Sequence, residues 1–173
     1  MRIVANERLG RQALAARWRE LLGDPNAPER CELDEFGELQ VSPPPSYKHQ
    51  RIVAALMRQI EATLGGEVGS YALASAEGVR IPDLCWAPSF DELAREGGAD
   101  PLTKMPPLCV EVLSPGNRRK DISEMVEAYL AAGVQEVILV ETDARIRYFT
   151  TAGEQPGSAF GLRLTLPPGT YPL

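Results

Sequence analysis

Two acids stand where apolar surroundings make acids costly. Asp83 follows Arg80-Ile81-Pro82 and precedes Leu84, and Glu111 lies inside Leu108-Cys109-Val110-Glu111-Val112-Leu113. Both runs have the character of short buried strands. A carboxylate leaves water only when it is paired, hydrogen-bonded or bound to a cation. Two acids aimed at one place therefore predict a divalent cation held by oxygen ligands. The plainer alternative is that Asp83 caps a strand end and Glu111 pairs with a nearby arginine.

Other reactive side chains are few. His49 is the only histidine, on the inward stripe of a helix and near its start, where it is either a core residue or a functional one. Cys31, Cys85 and Cys109 are odd in number, widely spaced and without a CxxC pair, which argues against structural zinc and a disulfide framework, and Cys85 and Cys109, inside apolar strand-like runs, read as buried thiols. A net charge of -6 opposes nonspecific attraction to nucleic acid, so a polyanionic substrate has to be met by a local patch. Arg118, Arg119 and Lys120, after the Ser114-Pro115-Gly116-Asn117 turn, are one candidate; Lys48 with Arg51 is another. Solvated surface is the alternative reading of both.

These residues need a scaffold, and the pattern supplies one. Leu14, Trp18, Leu21 and Leu22 recur at helical spacing within residues 7–22, and Gly23-Asp24-Pro25-Asn26 ends that helix. Residues 30–36 and 38–42 read as a hairpin around Gly37, closed by Pro43-Pro44-Pro45. Ser46 caps a helix whose stripe runs His49, Ile52, Val53, Leu56, Met57, Ile60 and Leu64, stopped by Gly65-Gly66. Residues 68–75 and 79–87 are expected as two strands around Ala76-Glu77-Gly78. A long connection with a short helix near 91–95 leads to a strand at 108–113. A helix facing inward through Ile122, Met125, Val126, Tyr129 and Leu130 ends at Gly133, and a strand at 136–140 follows. That strand, helix and strand predict a parallel, right-handed crossover. Residues 145–150 pair back, and the alternation of Leu162, Leu164 and Leu166 predicts a last strand over 161–166.

The order helix, strand, strand, strand, helix, strand, with acids in the second and third strands, resembles the restriction-endonuclease-like fold with its PD-(D/E)xK signature. That is an α/β class, a mixed sheet with flanking helices, here with an N-terminal helix and hairpin added. More narrowly, the chain resembles the Uma-type restriction-endonuclease family. The resemblance is carried by Gly37-Glu38-Leu39, Ser42-Pro43-Pro44, His49-Gln50-Arg51-Ile52, Pro82-Asp83-Leu84, Val110-Glu111-Val112-Leu113-Ser114-Pro115 and Tyr129-Leu130-Ala131-Ala132-Gly133-Val134. It implies Asp83 and Glu111 as ligands of Mg2+ or Mn2+, with the Val112 carbonyl as a further donor. At about 5 Å and an effective dielectric of about 20, two such charges repel by roughly 3 kcal/mol, which a cation or a raised carboxyl pKa has to offset.

One element of the pattern is missing. The superfamily's lysine would stand two residues after the second acid, where this chain has Leu113, and the Uma-type pattern moves it four residues before the tyrosine, to Met125. A thioether donates no charged hydrogen bond. Lys120, Lys104 and His49 are the substitutes, with Lys120 nearest in sequence. The resemblance implies a metal-dependent endonuclease acting on DNA, with Asp83 and Glu111 as ligands and Lys120 or His49 assisting. The alternative is a degenerate member kept as a noncatalytic binding or assembly module. A homodimer is expected by analogy with nucleases that cut both strands, with the Trp18 face of the first helix either available to it or packed on the chain's own core. One domain over 1–173 is expected, with 1–45 decorating a 46–166 core. The lack of a long apolar run or secretory leader predicts no membrane contact and a cytoplasmic location.

Overall fold

The computed structural model describes residues 7–172. The first helix, α1 (Arg11–Leu22), buries Leu14, Ala15, Trp18 and Leu21 and leaves its arginines in water. Strands β1 (Cys31–Leu33) and β2 (Leu39–Val41) form the expected hairpin. Helix α2 (Tyr47–Leu64) starts at Ser46, whose hydroxyl accepts the His49 N–H at 3.1 Å, and buries Ile52, Leu56 and Ile60.

The next two expected strands are each broken in the middle. Residues 68–75 become β3 (Glu67–Gly69) and β4 (Leu73–Ser75), and residues 79–87 become β5 (Gly78–Arg80) and β6 (Leu84–Ala87). The halves belong to different sheets. β3 and β6 enter a six-stranded sheet, and β4 and β5 enter a four-stranded one. The reason is local: Pro82 has no N–H to give a ladder, so the chain leaves one sheet at Ile81 and joins the other at Leu84. Asp83 therefore stands in a break between two strands, a correction to its placement inside one.

Helix α3 (Phe90–Gly97) follows, capped by Ser89, then β7 (Leu108–Val112), α4 (Arg119–Ala132) and β8 (Glu136–Val140). β7 and β8 pair in parallel through the α4 crossover, as expected. β9 (Ile146–Thr150) returns antiparallel and turns into β10 (Gly153–Gln155), a short strand the sequence pattern did not mark. The large sheet runs β10-β9-β8-β7-β6-β3, and the small one runs β2-β1-β5-β4.

Alternation along the central strands builds a core on each face of the large sheet. Leu84, Trp86, Leu108, Val110, Val112, Ile138 and Val140 meet α2. Cys85, Ala87, Cys109, Val137 and Leu139 meet α3 and α4 on the other face. A third cluster joins α1 to the small sheet through Leu14, Trp18, Leu33 and Val79. The N-terminal hairpin is bound in by backbone: Leu33 pairs with Val79, and a Cβ on Gly78 would run into the Leu33 carbonyl.

Residues 161–166 form no strand, contrary to the expectation from their alternation. Leu162 is still buried against α2, with Leu164 and Leu166 packed beside it. In place of a ladder, the Gln59 side chain of α2 accepts the Thr165 N–H at 2.8 Å and donates to the Thr165 carbonyl at 2.9 Å. A side-chain amide has the donor and acceptor of a peptide group, so a helix stands in for the missing strand. Among the described residues, no helix is long and apolar enough to cross a membrane.

Candidate active site

Asp83 is placed by the break before β6, and its carboxylate turns back onto the end of β7. Its Oδ2 accepts the Val112 N–H at 2.8 Å. The same oxygen lies 3.2 Å from His49 Nε2, which also stands 3.1 Å from the Val112 carbonyl oxygen. A carbonyl only accepts, so that contact puts a proton on Nε2. The hydrogen bond to Asp83 holds His49 above the ordinary imidazole value against the opposing effect of burial, with the charge of Asp83 and the Val112 carbonyl adding to it. His49 Nδ1 is buried and has no hydrogen-bond partner among the described residues. The side chain of Asp83 is 25% exposed and that of His49 9%, so solvent reaches the carboxylate while the imidazole lies behind it.

Glu111 stands on β7 on the α4 side of the sheet. Tyr129 O–H donates to its Oε1 at 2.8 Å. Burial pushes the Glu111 carboxyl well above its usual range, and the charge of Asp83 pushes it further, while Tyr129 and the Asp83 backbone amide oppose the rise. Asp83 is thus close enough to disfavour the charge of Glu111. Neither has a guanidinium partner among the described residues, which removes the arginine-paired alternative for Glu111. No ready cage of three or more His, Cys, Asp or Glu side chains exists among the described residues. A hard cation of the magnesium type does not need one, since one or two carboxylates plus waters suffice.

Lys120 lies elsewhere. In the first turn of α4, its side chain is 83% exposed and its Nζ is 3.5 Å from Glu124. Lys104 pairs with Glu96 at 3.1 Å. Met125 is partly buried and packs into the α4-side core that contains Tyr129. His49 is therefore the only one of the three substitutes in contact with a site carboxylate. Arg118 and Arg119 are exposed at the start of α4, and no carboxylate pairs with them among the described residues. Lys48 donates to the Pro172 carbonyl, and Arg51 lies over the Tyr47 ring. The thiols are buried; desolvation pushes Cys85 up to about 12, which makes it inert as a nucleophile.

The sequence reading missed two neighbours. Tyr129 was legible as a core residue, but nothing in its spacing marked its hydroxyl as the partner of Glu111. Glu32, on β1, accepts the Ile81 N–H at 2.7 Å and lies 3.6 Å from Arg80. Burial raises the Glu32 carboxyl, Ile81 and Arg80 oppose the rise, and Asp83 adds to it. The available signal was alternation: Cys31 and Leu33 point into a core, which leaves Glu32 on the opposite face of the hairpin.

A family model described as Uma2, putative restriction endonuclease, matches residues 17–169. Among curated proteins, none matches. Among solved structures, the chain is similar to the crystal structure of a putative nuclease belonging to DUF820 from Anabaena variabilis. The TM-score is 0.62 at 16% identity, over 83% of this chain and 89% of that one. At that identity, the likeness establishes a shared fold.

Proposed function

The chain belongs to the Uma2 family, and on that premise we propose that it is a divalent-metal-dependent endonuclease that hydrolyses DNA phosphodiester bonds. The observation that carries the reading is the approach of Asp83 to Glu111: its charge adds to the cost of ionising the buried Glu111 carboxyl, and no guanidinium among the described residues relieves it. A divalent cation relieves that cost. Magnesium or manganese fits the donor set of two carboxylates and the Val112 carbonyl, which His49 Nε2 also approaches. Bound there, such an ion supplies a more acidic water and charge neutralisation at the phosphate.

The remaining work falls to the chain's own groups. His49 orients the Asp83 carboxylate and, as the one chargeable side chain touching it among the described residues, takes the electrostatic part that Met125 cannot play. Tyr129 orients Glu111. Lys120, with its charge directed to Glu124, has no part in this reading. Arg118 and Arg119, seven and eight residues beyond Glu111, are proposed to hold the DNA backbone beside the site. Cutting both strands calls for two active sites, so a homodimer belongs to the proposal.

The test is cleavage of plasmid DNA with Mg2+ or Mn2+ added, in wild type and Asp83→Ala. Metal-dependent cleavage abolished by the substitution supports the proposal. A second reading, a noncatalytic nucleic-acid-binding or assembly module, is favoured by Met125 in the lysine position. Absence of cleavage across both metals, together with metal-independent DNA binding, would select it.

A further inference from the structure

The break that carries Asp83 is pinned at its first residue from the other sheet. Ile81 has left β5 and the chain has yet to enter β6, so its N–H has no ladder to join, and Pro82 beside it has none to give. Glu32 Oε1, reaching across from the middle of β1, accepts that N–H at 2.7 Å, while Oε2 is 3.6 Å from Arg80. At the far end of the break, Asp83 is held by the Val112 N–H and His49. The ladder between β1 and β5 supplies only one register pair, Leu33 with Val79. The Glu32 bond thus continues the contact between hairpin and β5 as far as the break.

Glu32 has an ion-pair partner in Arg80 but none in Asp83. Its carboxylate repels that of Asp83, so attraction between the two does not hold the arrangement together. What the side chain contributes is an acceptor of the right reach, with Arg80 beside it to offset part of the cost. We propose that Glu32 is a positioning residue for Asp83: by holding the Ile81 N–H it fixes the Ile81-Pro82-Asp83 break, so that the Asp83 carboxylate faces His49, Val112 and Glu111. The N-terminal hairpin is then a working part of the site. The consequence for cation binding rests on the nuclease reading; the placement of Asp83 does not.

Two substitutions separate reach from charge. Glu32→Gln keeps an acceptor at the same reach and removes the charge, whereas Glu32→Asp keeps the charge and falls one methylene short. His49 is the chain's only histidine, so on tag-free protein its ring resonances report the contact with Asp83 without ambiguity. In metal-free protein, the expected result is a His49 spectrum and a protected Val112 amide in the Gln variant like those of wild type. The Asp variant should show a shifted His49 ring and Val112 exchange faster by about tenfold, and manganese binding by calorimetry should weaken by about tenfold in the same variant. Equal behaviour of the two variants, or disturbance in the Gln variant alone, overturns the proposal. Gln40→Ala removes a hairpin bond to Asp34 away from Ile81; a His49 shift there matching the Asp variant would also overturn it, since general loosening of the hairpin would then be the cause. If wild type binds no manganese, the nuclease reading fails while the His49 spectra still decide the role of Glu32.

Discussion

His49 Nε2 stands 3.2 Å from Asp83 Oδ2 and ties the start of α2 to the break before β6. The Asp83 carboxylate keeps the imidazole above its ordinary value. Their pairing therefore stabilises the fold fully below the unfolded-state imidazole pKa, about 6.5, and the contribution is lost as pH rises through the higher folded-state value. Asp83→Asn should lose stability relative to wild type by a margin that narrows between about pH 6 and about pH 9. Urea unfolding at the two pH values checks it.

Glu111→Gln should make the metal-free protein more stable. The wild-type carboxyl, raised by burial and then by Asp83, costs stability wherever pH holds it ionised. A neutral amide removes the repulsion and still accepts from Tyr129. A gain of about 1 kcal/mol, roughly 2–4 °C in Tm, is expected near neutral pH. It should disappear at about pH 4, where the wild-type group is protonated too. Added manganese should raise the melting temperature of wild type and leave the variant unmoved.

Tyr129→Phe keeps the ring in its core and deletes the 2.8 Å bond to Glu111. With one of its two donors gone and the Asp83 backbone amide still in place, the buried Glu111 carboxyl is expected to cost the fold about 1 kcal/mol. Metal-dependent cleavage should fall by about 10- to 100-fold, because the ligand has lost its orienting partner. Single-turnover cleavage and unfolding measured together separate the two effects.

Met125→Lys should raise metal-dependent cleavage. A positioned acid or base contributes about 10²- to 10⁴-fold, and part of that should return if the ammonium reaches the acids from α4. Single-turnover rates of the folded variant decide it, and unchanged or slower cleavage counts against this placement of the site.

Replacing Arg118 and Arg119 by alanine should weaken DNA binding alike for all sequences. Two lost phosphate contacts flatten the slope of log affinity against log salt by about 2. Binding by cleavage-deficient Asp83→Ala protein across a salt series measures it.

The crossover from β7 through α4 to β8 was legible because an apolar run, a helical stripe ended by glycine and a second apolar run leave few alternatives. The approach of Asp83 and Glu111 followed from the same logic, since an acid in an apolar run has to be accounted for. The division of 68–75 and 79–87 between sheets was not legible: period-two alternation is the same on both sides of a bend, and only Pro82 hinted at one. Leu162, Leu164 and Leu166 alternate like a strand because one face meets α2, and periodicity does not report whether a neighbour is sheet or helix. Glu32 was hidden for a further reason. Its importance lies in one backbone amide 49 residues away, and spacing carries no trace of such a bond.

Gln59 has one more effect. Where a paired strand is secured residue after residue, the segment around Thr165 is fastened to α2 by one amide, which also accepts the Thr165 hydroxyl, by three leucines and, further on, by Lys48 at the Pro172 carbonyl. Detachment there leaves every ladder of the large sheet intact, so the carboxyl-terminal stretch can come away in advance of the rest. The first surface laid bare would be the apolar side of α2, the helix whose opening turn carries His49.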